Sequence, residues 1–199
     1  MADMSGNTKN VLIVGVGGQG VLLASEILSE VARLGGMDAK KSEVHGMSQR
    51  GGVVTSHVRF GEKVSSPLIP SGEADVVLAF ELAEGLRWIH ELAESGRIIV
   101  NRQKLVPPIT ATGLFSYPED VVERIRELAP EAEIVDAIGI ARELGNPKMV
   151  NTILLGVLSK YLDLEEEHWL KVIEKMAPKG TGEINRKAFL EGRARKVAG

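Results

Sequence analysis

Cysteine is absent from this 199-residue sequence. Its absence excludes disulfide bonds, thiolate catalysis and cysteine-ligated zinc or iron–sulfur sites within this chain. Any iron–sulfur cluster that takes part in its biology must therefore be held by another subunit.

Long apolar runs and a strong excess of one charge are also missing. No stretch approaches the roughly 18 apolar residues of a membrane span, and residues 1–10 lack the apolar core of a secretory signal peptide. The formal net charge of −3 gives no indication of a nucleic-acid partner. We expect a cytoplasmic protein that has no membrane partner, with residues 1–9 as a flexible tail.

Near its start the chain has an apolar stretch, residues 11–14, that runs directly into a glycine-rich sequence. A stripe of apolar residues at helical spacing follows. This order predicts a buried strand, a tight turn and a helix. Gly15, Gly17 and Gly20 have the spacing of phosphate-binding turns, in which a helix N-terminus offers N–H groups to an anion. The same glycines could serve only to let a strand turn sharply into a helix, so the motif alone leaves both interpretations open.

Beyond the turn, strand and helix patterns alternate along the chain. The alternation predicts an α/β fold with a Rossmann-like, doubly wound, mostly parallel sheet. Further strands are predicted at residues 39–44, 53–60, 75–80, 97–101 and 134–137. Further helices are predicted at residues 81–95, 118–129, 150–162, 164–176 and 183–195. We expect one domain spanning residues 1–199, in which residues 146–199 form a helical C-terminal segment.

An antiparallel hairpin is predicted within this otherwise parallel pattern. Gly61-Glu62 has the composition of a two-residue hairpin turn with glycine first. It predicts residues 63–65 as a returning strand. Such a hairpin would form an antiparallel edge of the sheet or project from it as an arm.

A compact polar loop is predicted between the second and third strands. Proteins of the α/β class place ligand loops at the carboxyl ends of strands. Arg50 can donate two parallel hydrogen bonds to a carboxylate or a phosphate, and Ser48 and Gln49 can add further hydrogen bonds. The alternative is an ordered connection in which Arg50 pairs with a local carboxylate such as Glu43.

The four histidines show no metal-ligand spacing, so no metal site is predicted. His45 lies beside the polar loop and is a candidate general acid or base, because the ordinary pKa of histidine is about 6.5. An interface hydrogen bond is the other role open to His45. Asn151 is placed either to cap a helix or to form a hydrogen bond in the core.

Two stretches of the sequence together resemble a known family. One is Gly15-x-Gly17-Gly18-Gln19-Gly20-Val21, and the other runs from Ser42 to Gly52 and ends in Met47-Ser48-Gln49-Arg50-Gly51-Gly52. They are similar to the smaller, beta subunits of indolepyruvate:ferredoxin oxidoreductases, which belong to the gamma-domain family of 2-oxoacid:ferredoxin oxidoreductases. The likeness continues through residues 75–81 and 151–156 and covers nearly the whole chain. The glycine turn is typical of the broad family, and the second stretch favours the indolepyruvate branch.

This resemblance implies an oxidative decarboxylation of indolepyruvate or other aryl pyruvates to an acyl-CoA, with reduction of ferredoxin. It also implies a larger alpha subunit that holds thiamine diphosphate and iron–sulfur clusters. This chain would be inactive alone and would bind none of these cofactors itself, with coenzyme A as co-substrate. A homodimer could form when the chain is isolated. The residues implied to contact coenzyme A, its phosphate or the partner's active site are Gly15, Gly17, Gly18, Gln19, Gly20, Ser48, Gln49, Arg50 and Gly51.

Three other functions stay open at this point. The chain could be the gamma subunit of a pyruvate, 2-ketoisovalerate or 2-oxoglutarate oxidoreductase. It could be a purely structural partner whose loops are interface. It could also be a NAD-binding Rossmann protein, because Glu43 lies close to the spacing of the acidic residue that contacts the ribose.

Overall fold

The computed structural model describes residues 8–45, 52–106 and 116–195. The glycine turn and most of the predicted elements fall within these ranges. The predicted site residues Ser48, Gln49, Arg50 and Gly51 fall outside them, and so does the side chain of His45. Among the helices of the described ranges, none is both long and apolar enough to cross a membrane.

A six-stranded mixed sheet forms the centre of the molecule, with strand order β2-β3-β1-β4-β5-β6. The strands are β1 (Lys9–Val16), β2 (Asp38–His45), β3 (Val53–Gly61), β4 (Ala74–Ala79), β5 (Leu92–Asn101) and β6 (Glu133–Val135). β1, β4, β5 and β6 pair in parallel, whereas β3 is antiparallel to both β1 and β2. The prediction of a mostly parallel α/β sheet with an antiparallel hairpin is confirmed.

Helices cover both faces of this sheet. They are α1 (Val21–Leu34), α2 (Leu82–Trp88), α3 (Val121–Leu128), α4 (Ala137–Glu143), α5 (Val150–Leu158), α6 (Glu166–Met176) and α7 (Gly182–Ala194). Alternate side chains of β1 point to opposite faces, as the period of a strand requires. Val11 and Ile13 pack with residues of α1 and of α4 to α7, and Leu12 and Val14 pack with residues of α2 and α3.

The hairpin lies elsewhere than predicted. It is formed by β2 and β3, and residues 63–65 are not a strand. The returning strand was a wrong prediction because β3 is already paired on both sides, with β2 and with β1. Instead, the Val64 N–H donates to Asp38 Oδ2 at 2.9 Å, and the Val64 side chain is buried.

Other boundaries also differ from prediction. The helix predicted for residues 81–95 ends at Trp88, and residues 92–101 form β5, because Leu92 pairs with Ala74 of β4. The last strand ends at Val135 rather than at residue 137, because Asp136 caps α4 by accepting from the Gly139 N–H at 2.9 Å. β1 already begins at Lys9, the last residue of the expected tail.

Candidate functional site

The candidate site lies at one edge of the sheet, where several strands end. β1, β4 and β5 run in parallel, so their carboxyl ends meet at this carboxyl edge. Two successive antiparallel pairings leave β2 running in the same direction as β1, which brings the end of β2 and the start of β3 to the same edge. The Gly17 N–H donates to Gly52 O at 2.9 Å. The glycine turn is therefore in direct contact with the end of this connection.

Two glycines of the turn leave no space for a side chain. A Cβ added at Gly15 would lie 2.9 Å from Gln19 Oε1 and from Phe80 Cβ, which is closer than real Cβ contacts. Gly20 has φ +90°, and a Cβ there would lie 2.6 Å from Asn151 Nδ2. Larger residues would disturb the turn at both positions.

The Gln19 side chain connects the turn to the neighbouring strands. Its Oε1 accepts from the Val16 N–H at 2.8 Å, and its Nε2 donates to Phe80 O and to Gln103 Oε1, both at 3.0 Å. These contacts join the end of β1 to the ends of β4 and β5. The predicted role of Gln19 toward a ligand stays a prediction, and the structure shows its amide bonded to protein groups.

Asn151, which is distant in the sequence, supports the same turn. Its Nδ2 donates to Gly20 O at 2.6 Å, although the two residues are 131 positions apart. Of the two roles predicted for Asn151, the structure shows the hydrogen bond in the core, since its side chain does not cap α5. The start of α1 is thereby fixed against α5.

A buried glutamate follows directly after β4. Glu81 is only 1% exposed, and its Oε2 accepts from the Glu84 N–H at 3.0 Å and caps α2. Its Oε1 accepts from the Leu105 N–H at 3.0 Å and from the Tyr117 O–H at 2.6 Å. Burial of a carboxylate is tolerated only when donors of this kind surround it.

Two ionisable groups beside Glu81 have shifted pKa values. Burial, and next the hydrogen bond to Glu81, raise the pKa of Tyr117 above its ordinary value, so Tyr117 stays a donor. Burial also raises the pKa of Glu84, and the Arg87 guanidinium opposes this shift from 3.3 Å. Both shifts follow first from removal of these side chains from water.

The position of Glu43 argues against a dinucleotide site of the Rossmann type. Glu43 lies on β2, and β3 separates β2 from β1, so two strand spacings of about 4.8 Å separate it from the glycine-bearing strand. Its carboxylate lies 2.8 Å from Lys41 Nζ. In the described ranges, no group of three or more potential metal ligands lies together.

Sequence reasoning did not identify Glu81, Gln103 and Tyr117 as residues of this edge. Glu81 appears in the family-like stretch 75–81, and this was the one signal available in the sequence. Gln103 and Tyr117 lie in segments without regular structure, where neither periodicity nor motif spacing indicates a contact.

Comparison with known proteins gives a consistent result along the whole chain. The family model described as pyruvate ferredoxin/flavodoxin oxidoreductase matches residues 10–195. The chain is 36% identical over 194 residues to the indolepyruvate oxidoreductase subunit IorB of Archaeoglobus fulgidus, covering 96% of each chain. It is 40% identical over 185 residues to IorB of Thermococcus kodakarensis, covering 90% of this chain and 92% of that protein.

Solved structures support the same fold. The gamma subunit of a keto/oxoacid ferredoxin oxidoreductase from Geobacter sulfurreducens has a TM-score of 0.68 at 23% identity, covering 92% of this chain and 95% of that one. The 2-oxoglutarate:ferredoxin oxidoreductase of Magnetococcus marinus has a TM-score of 0.71 at 19% identity. The match covers 96% of this chain and 32% of that longer chain. The resemblance inferred from residues 15–21 and 42–52 is confirmed, and the chain belongs to the pyruvate ferredoxin/flavodoxin oxidoreductase family.

Proposed function

We propose that this chain is the cluster-free subunit of a coenzyme A-dependent indolepyruvate:ferredoxin oxidoreductase. Cluster-free means that this subunit itself holds no iron–sulfur cluster. The complex would convert an aryl 2-oxoacid, coenzyme A and oxidised ferredoxin into an acyl-CoA, carbon dioxide and reduced ferredoxin. Two electrons leave the oxoacid as its carboxyl carbon is released as carbon dioxide, and ferredoxin accepts them singly. This chain would act as one domain of that complex, in the cytoplasm.

The observation that carries this proposal is the extent and degree of similarity to IorB. Four IorB proteins are 33% to 40% identical to this chain. Four common gamma subunits of pyruvate/ketoisovalerate oxidoreductases are 29% to 31% identical. The higher identities favour the indolepyruvate branch, and the gamma subunit of a pyruvate, 2-ketoisovalerate or 2-oxoglutarate enzyme is the alternative within the family.

A larger partner subunit completes the enzyme in this proposal. The chain contains no cysteine, so cysteine ligands for an iron–sulfur cluster must come from another chain. Thiamine diphosphate held by the partner would supply the electron sink for decarboxylation, and clusters on the partner would pass electrons to ferredoxin. An isolated copy of this chain is expected to be inactive, and it could form a homodimer through the face meant for the partner.

The carboxyl edge is the part of this chain that would contact coenzyme A or the partner's active site. Gly17 and Gly18 are exposed there, and the bond from Gly17 to Gly52 joins the turn to the end of the β2–β3 connection. The proposed contacts are the turn of residues 15–20 together with Ser48, Gln49, Arg50 and Gly51. An arginine at this edge would donate to a phosphate or a carboxylate.

The test is a substrate comparison on the assembled complex. The chain is co-expressed with its larger subunit, and coenzyme A-dependent ferredoxin reduction is measured with indolepyruvate, pyruvate, 2-ketoisovalerate and 2-oxoglutarate. We expect kcat/KM to be highest for indolepyruvate by about tenfold or more, equivalent to about 1.4 kcal/mol of discrimination. Preference for another of these acids would assign the chain to a different branch of the family.

A second candidate is a purely structural subunit, and the bonding of Gln19 favours it. The Gln19 amide is bonded to Val16, Phe80 and Gln103 rather than offered to a ligand. An Arg50→Gln variant separates the two candidates. A rise in the KM for coenzyme A or the oxoacid, with intact assembly, supports a ligand contact. Weakened assembly with both KM values unchanged supports the structural candidate.

A further inference from the structure

The segment that follows β5, residues 102–106, lies beside the glycine turn. We call it the edge segment. The Arg102 N–H donates to Val135 O at 2.7 Å, and Gln103 O accepts from the Leu82 N–H at 2.9 Å. Gln103 Oε1 also accepts from Gln19 Nε2 at 3.0 Å. These contacts attach the edge segment to β6, to α2 and to the turn itself.

Glu81 holds the far end of the edge segment. Its Oε1 accepts from the Leu105 N–H and from the Tyr117 O–H, so one buried oxygen joins the edge segment to Tyr117. The Tyr117 oxygen in turn accepts from the Ala83 N–H at 3.1 Å. The edge segment therefore cannot move away from α2 without leaving a buried carboxylate short of donors.

Tyr117 also fixes an exposed cation. Lys104 Nζ lies 4.6 Å from the centroid of the Tyr117 ring, a distance typical of a cation–π contact. Lys104 itself is exposed. The contact restricts the side chain next to Gln103, whose amide oxygen is bonded to the glycine turn. The exposed ammonium of Lys104 is thus held over the Tyr117 ring, one residue along the chain from the side chain that is bonded to the glycine turn.

We propose that Lys104 contacts an anionic oxygen group of a substrate, and that Glu81 and Tyr117 are positioning residues that hold Lys104 for this contact. The inference rests on the proposed function, which brings two such groups to the carboxyl edge. One is a phosphate of coenzyme A, and the other is the carboxylate of the 2-oxoacid. Both accept charge-assisted hydrogen bonds from an ammonium group.

The experiment uses the complex with its larger subunit and measures KM for coenzyme A and for indolepyruvate separately. The variants are Lys104→Gln, Lys104→Arg, Tyr117→Phe and Glu81→Gln. Matched controls are Lys171→Gln, at an exposed lysine of α6, and Tyr161→Phe, where the tyrosine O–H donates to another buried glutamate, Glu133, at 2.5 Å.

We expect Lys104→Gln to raise one of the two KM values about tenfold, as loss of a charge-assisted hydrogen bond would, with kcat changed less than about twofold. The KM that rises identifies the anionic group. Lys104→Arg should keep this KM close to the wild-type value, because the positive charge is kept. Tyr117→Phe should raise the same KM about threefold. Glu81→Gln should raise the same KM. If Glu81→Gln does not fold, Tyr117→Phe alone tests the positioning role.

The proposal is overturned when Lys104→Gln leaves both KM values unchanged, or when Tyr161→Phe raises the same KM as much as Tyr117→Phe does. Failure of the proposed function is a different result, in which the wild-type complex turns over no 2-oxoacid. In that case the Kd for coenzyme A and for indolepyruvate, measured by calorimetric titration of the complex, takes the place of KM. A Kd about tenfold higher for the Lys104→Gln complex than for the wild-type complex supports the contact. Equal Kd values, or no detectable binding to either complex, reject it.

Discussion

Two pairs of a tyrosine and a buried glutamate occur in this molecule, and they are built alike. Tyr117 donates to Glu81 at 2.6 Å, and Tyr161 donates to Glu133 at 2.5 Å. The two glutamates are 1% and 5% exposed. In both pairs, burial and next the bond to the glutamate raise the tyrosine pKa. A lysine lies over each ring, Lys104 in the first pair and Lys160 in the second.

The pairs differ in what else the carboxylate contacts. Lys160 Nζ lies 2.6 Å from Glu133 Oε1, so this second pair includes an ion pair that joins the outer strand β6 to the turn that follows α5. The described partners of Glu81 are instead the backbone N–H groups of Glu84 and Leu105, besides Tyr117. The same chemical pair thus fixes a strand in one place and an exposed segment beside the candidate site in the other.

The largest expected effect is loss of stability when either glutamate is removed. Glu133→Ala leaves Lys160 and Tyr161 without their partner, and we expect the free energy of unfolding to fall by about 3 to 5 kcal/mol, as for other broken buried ion pairs. Glu81→Ala leaves two N–H groups and one O–H unpaired, and we expect about 3 kcal/mol. Urea unfolding followed by tryptophan fluorescence measures both. A loss below about 1 kcal/mol in either variant would show that water replaces the carboxylate there.

A smaller effect should separate the pairs by their coupling to the glycine turn. Gln19 bonds to Gln103, which belongs to the edge segment that Glu81 holds. A double-mutant cycle of Gln19→Ala with Glu81→Gln should give a coupling energy of about 0.5 to 1 kcal/mol. The matched cycle of Gln19→Ala with Glu133→Gln should be additive within about 0.5 kcal/mol. Equal couplings in the two cycles would mean that the edge segment does not transmit the interaction.

The smallest effect concerns alkaline pH, and here the pairs should behave alike. The folded state raises the pKa of both Tyr117 and Tyr161 above the unfolded value of about 10. Their contribution to stability is therefore fully present below pH 10 or so and is lost as the pH rises above it. Tyr117→Phe and Tyr161→Phe should each reduce the loss of unfolding free energy between about pH 9 and pH 11. A variant with an unchanged slope would show that its tyrosine ionises normally in the folded protein.

The fold was largely predictable from local sequence, and the errors in that prediction have a common cause. The apolar stretch before Gly15 and the spacing of the glycines predicted β1, the turn and α1, because these depend on neighbours in sequence. Residues 92–95 were predicted as helix but belong to β5, in which Leu92 pairs with Ala74 of β4 and the pairing resumes at Arg97; such tertiary pairing outweighs local preference. The return strand at residues 63–65 failed because strand order, which no local pattern records, had already paired both sides of β3.

The candidate site was predictable only in part, for the same reason. The glycine turn carries a motif, and the β2–β3 connection was recognised by its polar composition. Glu81 and Tyr117 are 36 residues apart, and Gln19 and Gln103 are 84 apart. Such pairs are created by the meeting of strand ends in the folded sheet. Their residues look like ordinary loop and cap residues in the sequence.

The bond between Asn151 and Gly20 has a consequence for how the chain acquires its site. Because a residue near the beginning of the fold is held by one 131 positions later, the glycine turn reaches its final form only after α5 has been synthesised and packed. A ribosome-bound chain that ends before Asn151 would have β1 and α1 but not their fixed junction. The junction between β1 and α1 is thereby incomplete until more than three-quarters of the protein exists.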